Sequence, residues 1–588
     1  MRWLDNLIPL HARLSGPQLA GWMPSAVAEQ GLGCRLLADV PIPMPDGVKL
    51  AADVYIPARA GRYPVILQFA AYNLDLHTAG VPKGSNEIGA PPISTDRGYV
   101  QAIVTARGIG RSQGRLLPWL SEPEIDDHAA CIAWAAKQPW SNGDVCLFGT
   151  SYYGMNQPAV AARRPPELRA FFANEICTDY RRQLFRYGGV FNADFLTLWL
   201  GANFTGRGMR RKIPPVVRAA LSHVLNRPWL WRHVVAPRID RIMQAFKRGR
   251  VAPEVLPWYL ALMTDATQSV DPAISDGPSA VLHQIDVPFV VVQNRGMVAL
   301  HQFGAYELYE RAGSNRKWLI VGPPEYELPV YSWQLEALAF FDYAVKGIDN
   351  GYAQQPRVRY WRDGPGDWAG ADAFPPGDAE VVRLHLGPPR AGDPGGLARE
   401  VPADGQSTWV SVPRGIAVLP GIDRTEPQRQ RFRFVAKEDF ELAGPVTLQL
   451  KYACSEIDSY IVARLDRVDR EDIRHPLAMG HLRPATRTMR TDRGSRCEIV
   501  IDTAVKQPLR PNEPVLLRFS LTPAAAVIRT GEALELDLAS RTDLLHVPVR
   551  EGFIVPDMAV PPYFARNTVD HGPETFLELR ARFYIGST

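Results

Sequence analysis

DVCLFGTSYYGMNQPAVAARR, residues 144–164, is the stretch that decides the fold. An apolar strand runs into a turn of small residues between Gly149 and Gly154, and an Ala-rich helix follows. A serine at such a turn stands above the sheet edge, and the helix N-terminus behind it favours negative charge. Ser151 is therefore predicted to be a nucleophile, with the backbone N–H of Tyr152 as an oxyanion donor. The second glycine falls one position later than in G-x-S-x-G, so a plain turn serine stays an alternative.

Predicted strands and helices alternate in the same way in the flanking sequence. YPVILQFA (63–70), YVQAIVTA (99–106) and VPFVVVQ (287–293) are apolar runs of strand length, as in buried parallel strands. DHAACIAWAAKQ (127–138) has helical spacing between such runs. From about residue 355 the pattern changes to period-two strands separated by Gly, Pro and Asp turns. We predict an α/β domain with a parallel sheet, followed by an all-β sandwich or jelly roll.

These sequence patterns predict four regions along the chain. The boundaries are 1–34 for an N-terminal extension, 35–179 with 281–352 for the α/β domain, 180–280 for a helical cap insertion, and 353–588 for the β-domain.

Composition narrows the function classes. Lys and Arg number 66 and Asp and Glu 62, a net charge of +4, without the basic track of a nucleic-acid binder. No apolar run is long enough to predict a membrane span, and the N-terminus does not read as a secretory signal. The six cysteines form no C-x-x-C pair, so we predict a cytoplasmic protein without metal or other cofactor.

Four motifs point to one family. They are GTSYYG (149–154), RGIGRSQG (107–114), QPWSNGDV (138–145) and FFDYAVKGIDNG (340–351). With them, nearly the whole chain from about residue 38 resembles the CocE/NonD-type serine hydrolases. The resemblance implies an α/β-hydrolase domain with an inserted helical cap and a C-terminal all-β jelly-roll domain. It also implies that Tyr72 supplies the second oxyanion donor through its hydroxyl, whereas Thr105 stands where family members usually carry Asp.

The resemblance also implies where a catalytic triad should lie, and there the sequence departs from the pattern. Met297 occupies the family's acid position, after the strand at 287–293, and Tyr326 occupies its histidine position, after the strand KWLIVG. No aspartate occurs between Asp286 and Asp342, and no histidine between His301 and His385. The sequence therefore predicts a degenerate triad.

Other residues are weaker candidates for the missing base and acid. His301 as base with Glu325 as its partner is conceivable, but we expect His301 one turn inside a helix and too far from Ser151. His77 lies on a loop that could border the pocket. Glu175 and Asp179 follow the strand after the turn, where structural roles are favoured.

A serine hydroxyl without a base is a poor nucleophile, so an efficient conventional hydrolase is not expected. Our first hypothesis is an enzyme acting on the carbonyl of a small ester, amide or thioester through Ser151, Tyr72 and Tyr152. The alternatives are a non-hydrolytic lyase, cyclase or acyltransferase, and a catalytically silent binding or scaffold protein. A small acyl substrate is the expected partner, and a homo-oligomer is possible on the sequence.

Overall fold

A computed structural model describes residues 31–73, 87–192, 277–295, 301, 303–323, 331–389, 394–411, 428–541 and 564–583, with isolated positions at 214, 216, 229 and 233. The predicted N-terminal extension, apart from 31–34, and most of the predicted cap lie outside these residues. So do four candidate site residues of the sequence analysis: His77, Met297, Glu325 and Tyr326.

The first sheet has ten strands in the order β1-β2-β4-β3-β5-β6-β9-β10-β11-β12. The pairs from β4 across to β11 are parallel, and antiparallel pairs close both edges. The short β7 and β8 form a separate hairpin. The bounds are β1 Arg35–Pro43, β2 Lys49–Ile56, β3 Tyr63–Ala70, β4 Val100–Thr105, β5 Ser141–Thr150, β6 Leu168–Asn174, β7 Arg186–Tyr187, β8 Val190–Phe191, β9 Phe289–Gln293, β10 Lys317–Val321, β11 Val358–Arg362 and β12 Asp367–Ala371.

Helices cover both faces of this sheet. Val65 and Leu67 of β3 join one core, and Ile66 between them joins the core on the other face, which is why the strand is apolar throughout. The helices are α1 Pro91–Asp96, α2 Glu122–Ala136, α3 Tyr152–Ala161, α4 Gly304–Arg311 and α5 Tyr331–Ala344. Helices α2, α3 and α4 contribute to the first core, and α5 contributes to the second. The predicted α/β domain is confirmed.

The first sheet continues beyond residue 352, which the sequence analysis gave as its end. β11 pairs in parallel with β10, with Leu319 opposite Val358, and β12 then closes the edge. Val358 and Tyr360 are buried in the core of the α/β domain. The period-two pattern of these strands is typical of either sheet, so the pattern alone assigned them to the wrong one.

The second domain is all-β, as predicted. Eleven strands hydrogen-bond in one network, in the order β15-β24-β17-β25-β13-β14-β16-β23-β18-β19 with β22 paired to β17, around an apolar core. The bounds are β13 Glu380–Leu386, β14 Gly395–Ala398, β15 Gln406–Ser411, β16 Arg429–Val435, β17 Phe440–Cys454, β18 Ile461–Val468, β19 Arg474–Leu482, β20 Met489–Arg490, β21 Val500–Ile501, β22 Val515–Ile528, β23 Ala533–Ala539, β24 Ala565–Asp570 and β25 Phe576–Phe583. In the described part of the chain, every helix is too short or too polar to cross a membrane.

Candidate active site

Ser151 lies alone between the end of β5 and the start of α3. Its backbone has φ 56° and ψ −121°, in the left-handed region that L-residues rarely adopt. A Cβ on Gly149 would lie 2.3 Å from the Cβ of Tyr153, and one on Gly154 would lie 2.9 Å from the carbonyl oxygen of Asn174. Both glycines are therefore needed for the sharp turn, even though the second falls one position late.

His301 contacts the serine. Its Nε2 is 3.2 Å from Ser151 Oγ, and the imidazole is buried. The expectation that no histidine reaches Ser151 is wrong, because His301 is not inside a helix. α4 begins only at Gly304, and His301 lies before it with φ 54°, in the connection from β9.

Glu175 lies behind the imidazole. Its Oε2 is 3.5 Å from His301 Nδ1, and its side chain is fully buried. Glu175 directly follows β6 and also has φ 54°. Of the two acidic residues for which structural roles were favoured, Glu175 is in the site, whereas Asp179 turns away and binds Arg182 at 3.2 Å.

Adjacent strands explain why these three side chains meet. β5, β6 and β9 are neighbours in the sheet, and the carboxyl ends of parallel strands meet at one edge. The Ser151 N–H donates to the Asn174 carbonyl at 3.0 Å, and the Glu175 N–H donates to the Val292 carbonyl at 3.0 Å. The turns after β5 and β6 are thus each hydrogen-bonded to the end of the next strand.

Burial shifts the pKa values of both His301 and Glu175. It lowers the pKa of His301 to about 3, so the imidazole is neutral at pH 7. Burial also raises the pKa of Glu175 well above the ordinary value of a carboxyl. A neutral imidazole beside a hydroxyl is the resting state that a general base requires.

Arg295 anchors the chain segment that leads to His301. It stands two residues after β9 and makes a bidentate ion pair with Asp363, at 2.9 and 3.0 Å. The same guanidinium donates to the carbonyl oxygens of Gly322, Trp361 and Ala525 at 3.0–3.1 Å. The start of the loop is therefore fixed to β11 and to the β-domain.

Tyr72 and Tyr152, which carry the two predicted oxyanion donors, line the same pocket as Ser151. Tyr72 follows β3 and its ring centre is 5.5 Å from that of Tyr152. The backbone N–H of Tyr152 is at the first position of α3, where a helix makes no internal use of its N–H groups. The Tyr152 side chain has a different partner, because its hydroxyl donates to Glu124 Oε1 at 2.6 Å.

Glu124 is a buried carboxyl of α2 that the sequence analysis did not single out. Its Oε2 accepts the Leu120 N–H at 2.8 Å, and burial raises its pKa to about 8. The helical pattern of α2 placed Glu124 near its start but carried no signal for its partner, Tyr152, which is 28 positions away.

Ser151, His301 and Tyr72 open onto one small pocket of about 20 Å³. The other lining residues are apolar or aromatic: Trp119, Leu120, Tyr152, Met155, Tyr180, Leu184 and Phe185. Eight non-glycine residues in the described part of the chain have positive φ, and four of them belong to this site: Leu120, Ser151, Glu175 and His301. Backbone strain of this kind costs on the order of 1–3 kcal/mol per residue and concentrates where function requires it.

The RGIGRSQG motif supports the site without entering it. Arg107 binds both carboxylate oxygens of Asp127 at 2.6–2.7 Å. The Ser112 hydroxyl donates to the Thr105 carbonyl at 2.7 Å. A Cβ on Gly110 would lie 3.3 Å from the side chain of Asn73, next to Tyr72. The loop thus packs tightly behind the residue that carries the phenol.

Comparison with known proteins finds a family match for each of the two domains. Residues 46–325 match the X-Pro dipeptidyl-peptidase family (S15 family), and residues 350–552 match the X-Pro dipeptidyl-peptidase C-terminal non-catalytic domain. A Mycobacterium bovis protein named as a candidate serine esterase is 24% identical over 586 residues, covering 87% of this chain and 91% of the relative. The cocaine esterase of a Rhodococcus species is 25% identical over 386 residues, covering 60% of this chain and 62% of that enzyme.

Among solved structures, a CocE/NonD family hydrolase from Staphylococcus aureus superposes with a TM-score of 0.72 at 20% identity, covering 96% of this chain and 99% of the other.

Proposed function

Because this chain belongs to the CocE/NonD-type hydrolases, a family of serine esterases and peptidases of α/β fold, we propose that it hydrolyses a small ester through a Ser151–His301–Glu175 triad. The observation that carries the proposal is the 3.2 Å contact between Ser151 Oγ and His301 Nε2, with Glu175 Oε2 3.5 Å from the opposite ring nitrogen. The distance is within the range for proton transfer in a serine hydrolase.

The triad differs from the family pattern in where its members lie along the chain. The resemblance places the acid after β9 and the histidine after β10. Here the acid follows β6 and the histidine follows β9. Each partner has moved one strand towards the nucleophile, and the order Ser–His–acid in space is kept. Met297 and Tyr326, which stand at the family's acid and histidine positions, therefore do not prevent hydrolysis in this proposal.

The steps follow from this geometry. His301 Nε2 takes the Ser151 proton as Oγ attacks the substrate carbonyl, and Glu175 in its carboxylate form stabilises the imidazolium that results. The Tyr152 N–H and the Tyr72 hydroxyl donate to the developing oxyanion. His301 then returns the proton to the leaving alcohol, which departs and leaves an acyl-serine. Water, deprotonated by the same imidazole, adds to the acyl carbon and releases the acid and Ser151.

The lining of the pocket favours an uncharged acyl group. Its described lining presents aromatic and aliphatic side chains such as Trp119, Met155 and Phe185, and no carboxylate that could bind a substrate ammonium group. Two carboxyls lie close to it: Glu124 accepts a hydrogen bond from the Tyr152 hydroxyl, and Glu175 lies 3.5 Å from His301 Nδ1. We therefore propose uncharged esters as the substrates, ahead of peptides with a free N-terminus.

Hydrolysis of p-nitrophenyl acetate, butyrate and benzoate tests the proposal. The protein is expected to turn over at least one of them, and the Ser151→Ala variant should lose at least about 10³-fold in kcat. Turnover retained by Ser151→Ala would contradict the proposal and favour the non-hydrolytic alternative. Absence of turnover, together with an unreactive Ser151, would favour a silent binding protein. The cytoplasmic location and the homo-oligomer stay predictions.

A further inference from the structure

A buried carboxyl group lies behind the wall of the pocket at Ser151. It belongs to Glu124 of α2, which is 2% exposed. Its two carboxyl oxygens accept hydrogen bonds from Leu120 and Tyr152, and both of these residues line the pocket. Glu124 is not itself among the described lining residues. It can therefore act on the reaction at Ser151 through these two neighbours and through its own charge.

The first neighbour is Tyr152, which directly follows the nucleophile and begins α3. Its side chain is fully buried, and its hydroxyl donates to Glu124 Oε1 at 2.6 Å. The far end of the Tyr152 side chain is thus bound to α2, while the backbone N–H of the same residue donates to the oxyanion in the proposed mechanism. The hydrogen bond to Glu124 therefore restrains the residue that carries an oxyanion donor.

The second neighbour is Leu120, which lies two residues before α2. Its N–H donates to Glu124 Oε2 at 2.8 Å. Leu120 has φ 54°, and such a left-handed conformation costs a residue other than glycine on the order of 1–3 kcal/mol. The hydrogen bond to Glu124 helps to hold the backbone in this conformation, in which Leu120 forms part of the pocket wall.

A similar pair of side chains on the other face of the sheet offers a matched control. The Tyr352 hydroxyl donates to Glu336 Oε1 at 2.9 Å, and Glu336 also pairs with Arg359. Tyr352 and Glu336 are both buried, and neither of them lines the pocket at Ser151. The loss of a buried hydrogen bond between a tyrosine and a glutamate can therefore be measured here without a change at the pocket.

The charge of Glu124 depends on pH in a range where the enzyme can be assayed. Burial raises the pKa of Glu124 to about 8, so its carboxyl is mostly neutral at pH 7. The titratable groups that face it are the hydroxyls of Tyr152 and Tyr180, together with Asp127 of α2, which Arg107 binds through both carboxylate oxygens. Above its pKa, Glu124 is an anion separated from the oxyanion donor by one side chain.

We propose that Glu124 is a positioning residue for the reaction at Ser151: through Tyr152 it fixes an oxyanion donor, and through Leu120 it fixes one wall of the pocket. This inference rests on the proposed function, because it gives Glu124 a part in the same reaction. A purely structural residue affects folding alone. A positioning residue also affects turnover, since a misplacement of about 1 Å near the reacting groups can cost about 10²-fold in rate.

Steady-state kinetics of the full chain with p-nitrophenyl esters test the inference. Tyr152→Phe removes only the hydroxyl, and Glu124→Gln replaces one acceptor oxygen by an amide nitrogen that cannot accept. In each variant kcat should fall about tenfold, with KM within about twofold of that of the unaltered protein. The control Tyr352→Phe should keep its kcat. Thermal midpoints show that each variant is folded. Equal kcat in Tyr152→Phe, Glu124→Gln and the control would overturn the inference.

The pH profile of kcat is a readout that a structural role would not change. In the unaltered protein kcat should decline as pH rises through about 8, because an ionised Glu124 opposes the negative charge of the oxyanion. Glu124→Gln should lack this decline, and the same decline in both proteins would contradict the inference. Absence of turnover by the unaltered protein would overturn the proposed function and this inference together. Turnover that is insensitive to both substitutions would overturn this inference alone.

Discussion

Three residues with left-handed backbone conformations form the candidate triad. Ser151, Glu175 and His301 have φ of 56°, 54° and 54°, and each directs a buried side chain into the same small volume. The sequence predicted Ser151, because its turn carries local signals: two close glycines, a preceding strand and a following helix. It did not predict the other two, because their roles depend on a distance across strands and not on neighbouring residues.

The hydroxyl of Tyr72 is another single group whose role can be tested by one substitution. Tyr72→Phe keeps the ring against Tyr152 and removes the hydroxyl alone. We expect kcat for a p-nitrophenyl ester to fall about 10²- to 10³-fold with little change in KM, because an oxyanion donor acts mainly in the transition state. Steady-state kinetics check this, and an unchanged kcat would remove Tyr72 from the oxyanion site.

Glu175 governs the acid limb of the pH profile in this account. Burial raises its pKa, so its carboxylate, which stabilises the imidazolium, is lost as pH falls through that raised value. In Glu175→Gln only His301 titrates, and burial places its pKa near 3. The variant should therefore show a lower plateau of kcat/KM and an acid midpoint at lower pH. A midpoint that stays where it was would assign the limb to another group.

At the level of elements, a buried hydrogen bond joins α2 to α3. Glu124 has a pKa raised to about 8, so in the folded protein its neutral form is favoured. Its contribution to stability is complete below the unfolded value near 4.5 and is lost as pH rises through about 8. The Glu124→Gln substitution removes this ionisable carboxyl. The free energy of unfolding of the variant should therefore depend less on pH over that window than that of the unaltered protein.

Denaturant titrations of both proteins from pH 5 to about 9 measure the effect. The stability of the unaltered protein relative to Glu124→Gln should decline with a slope of at most about 1.4 kcal/mol per pH unit, the value for one proton. A difference that is constant, or that grows with pH, would mean that Glu124 is ionised when folded.

The elements themselves were well predicted from the sequence. The apolar runs at 63–70 and 287–293 became β3 and β9, because strands covered on both faces must be apolar throughout. The position of His301 was not predicted, because it was expected one turn inside the helix that follows this loop, whereas α4 begins three residues later. The place of β11 in the first sheet depended on its pairing with β10, which a period-two pattern does not specify.

At the level of the whole molecule, Arg182 joins the two domains. Its buried guanidinium pairs with Asp179, with Glu307 of α4 and with Glu498 of the β-domain. Although burial opposes ionisation, Arg182 and the surrounding donors hold the pKa of Glu307 at about 2. Burial raises the pKa of Glu498 to about 7. Arg182 is therefore a cation that three carboxyls share at the junction.

Arg182→Gln removes the cation that these three carboxyls share. We expect a loss of about 3–5 kcal/mol in the free energy of unfolding, the cost of breaking a buried ion pair by removing one partner. Chemical denaturation measures it, with the exposed Arg510→Gln as control. A loss no larger than that of the control would show that the domains do not depend on this cluster.

The rate at which a fluorophosphonate labels Ser151, followed by intact mass, tests the central claim most directly. The claim is that His301 activates this serine. The unaltered protein and the exposed-histidine control His283→Ala should label rapidly at Ser151, and His301→Ala should label at least about 10³-fold more slowly. Equal labelling of His301→Ala and the control, or no labelling of the unaltered protein, would contradict the account.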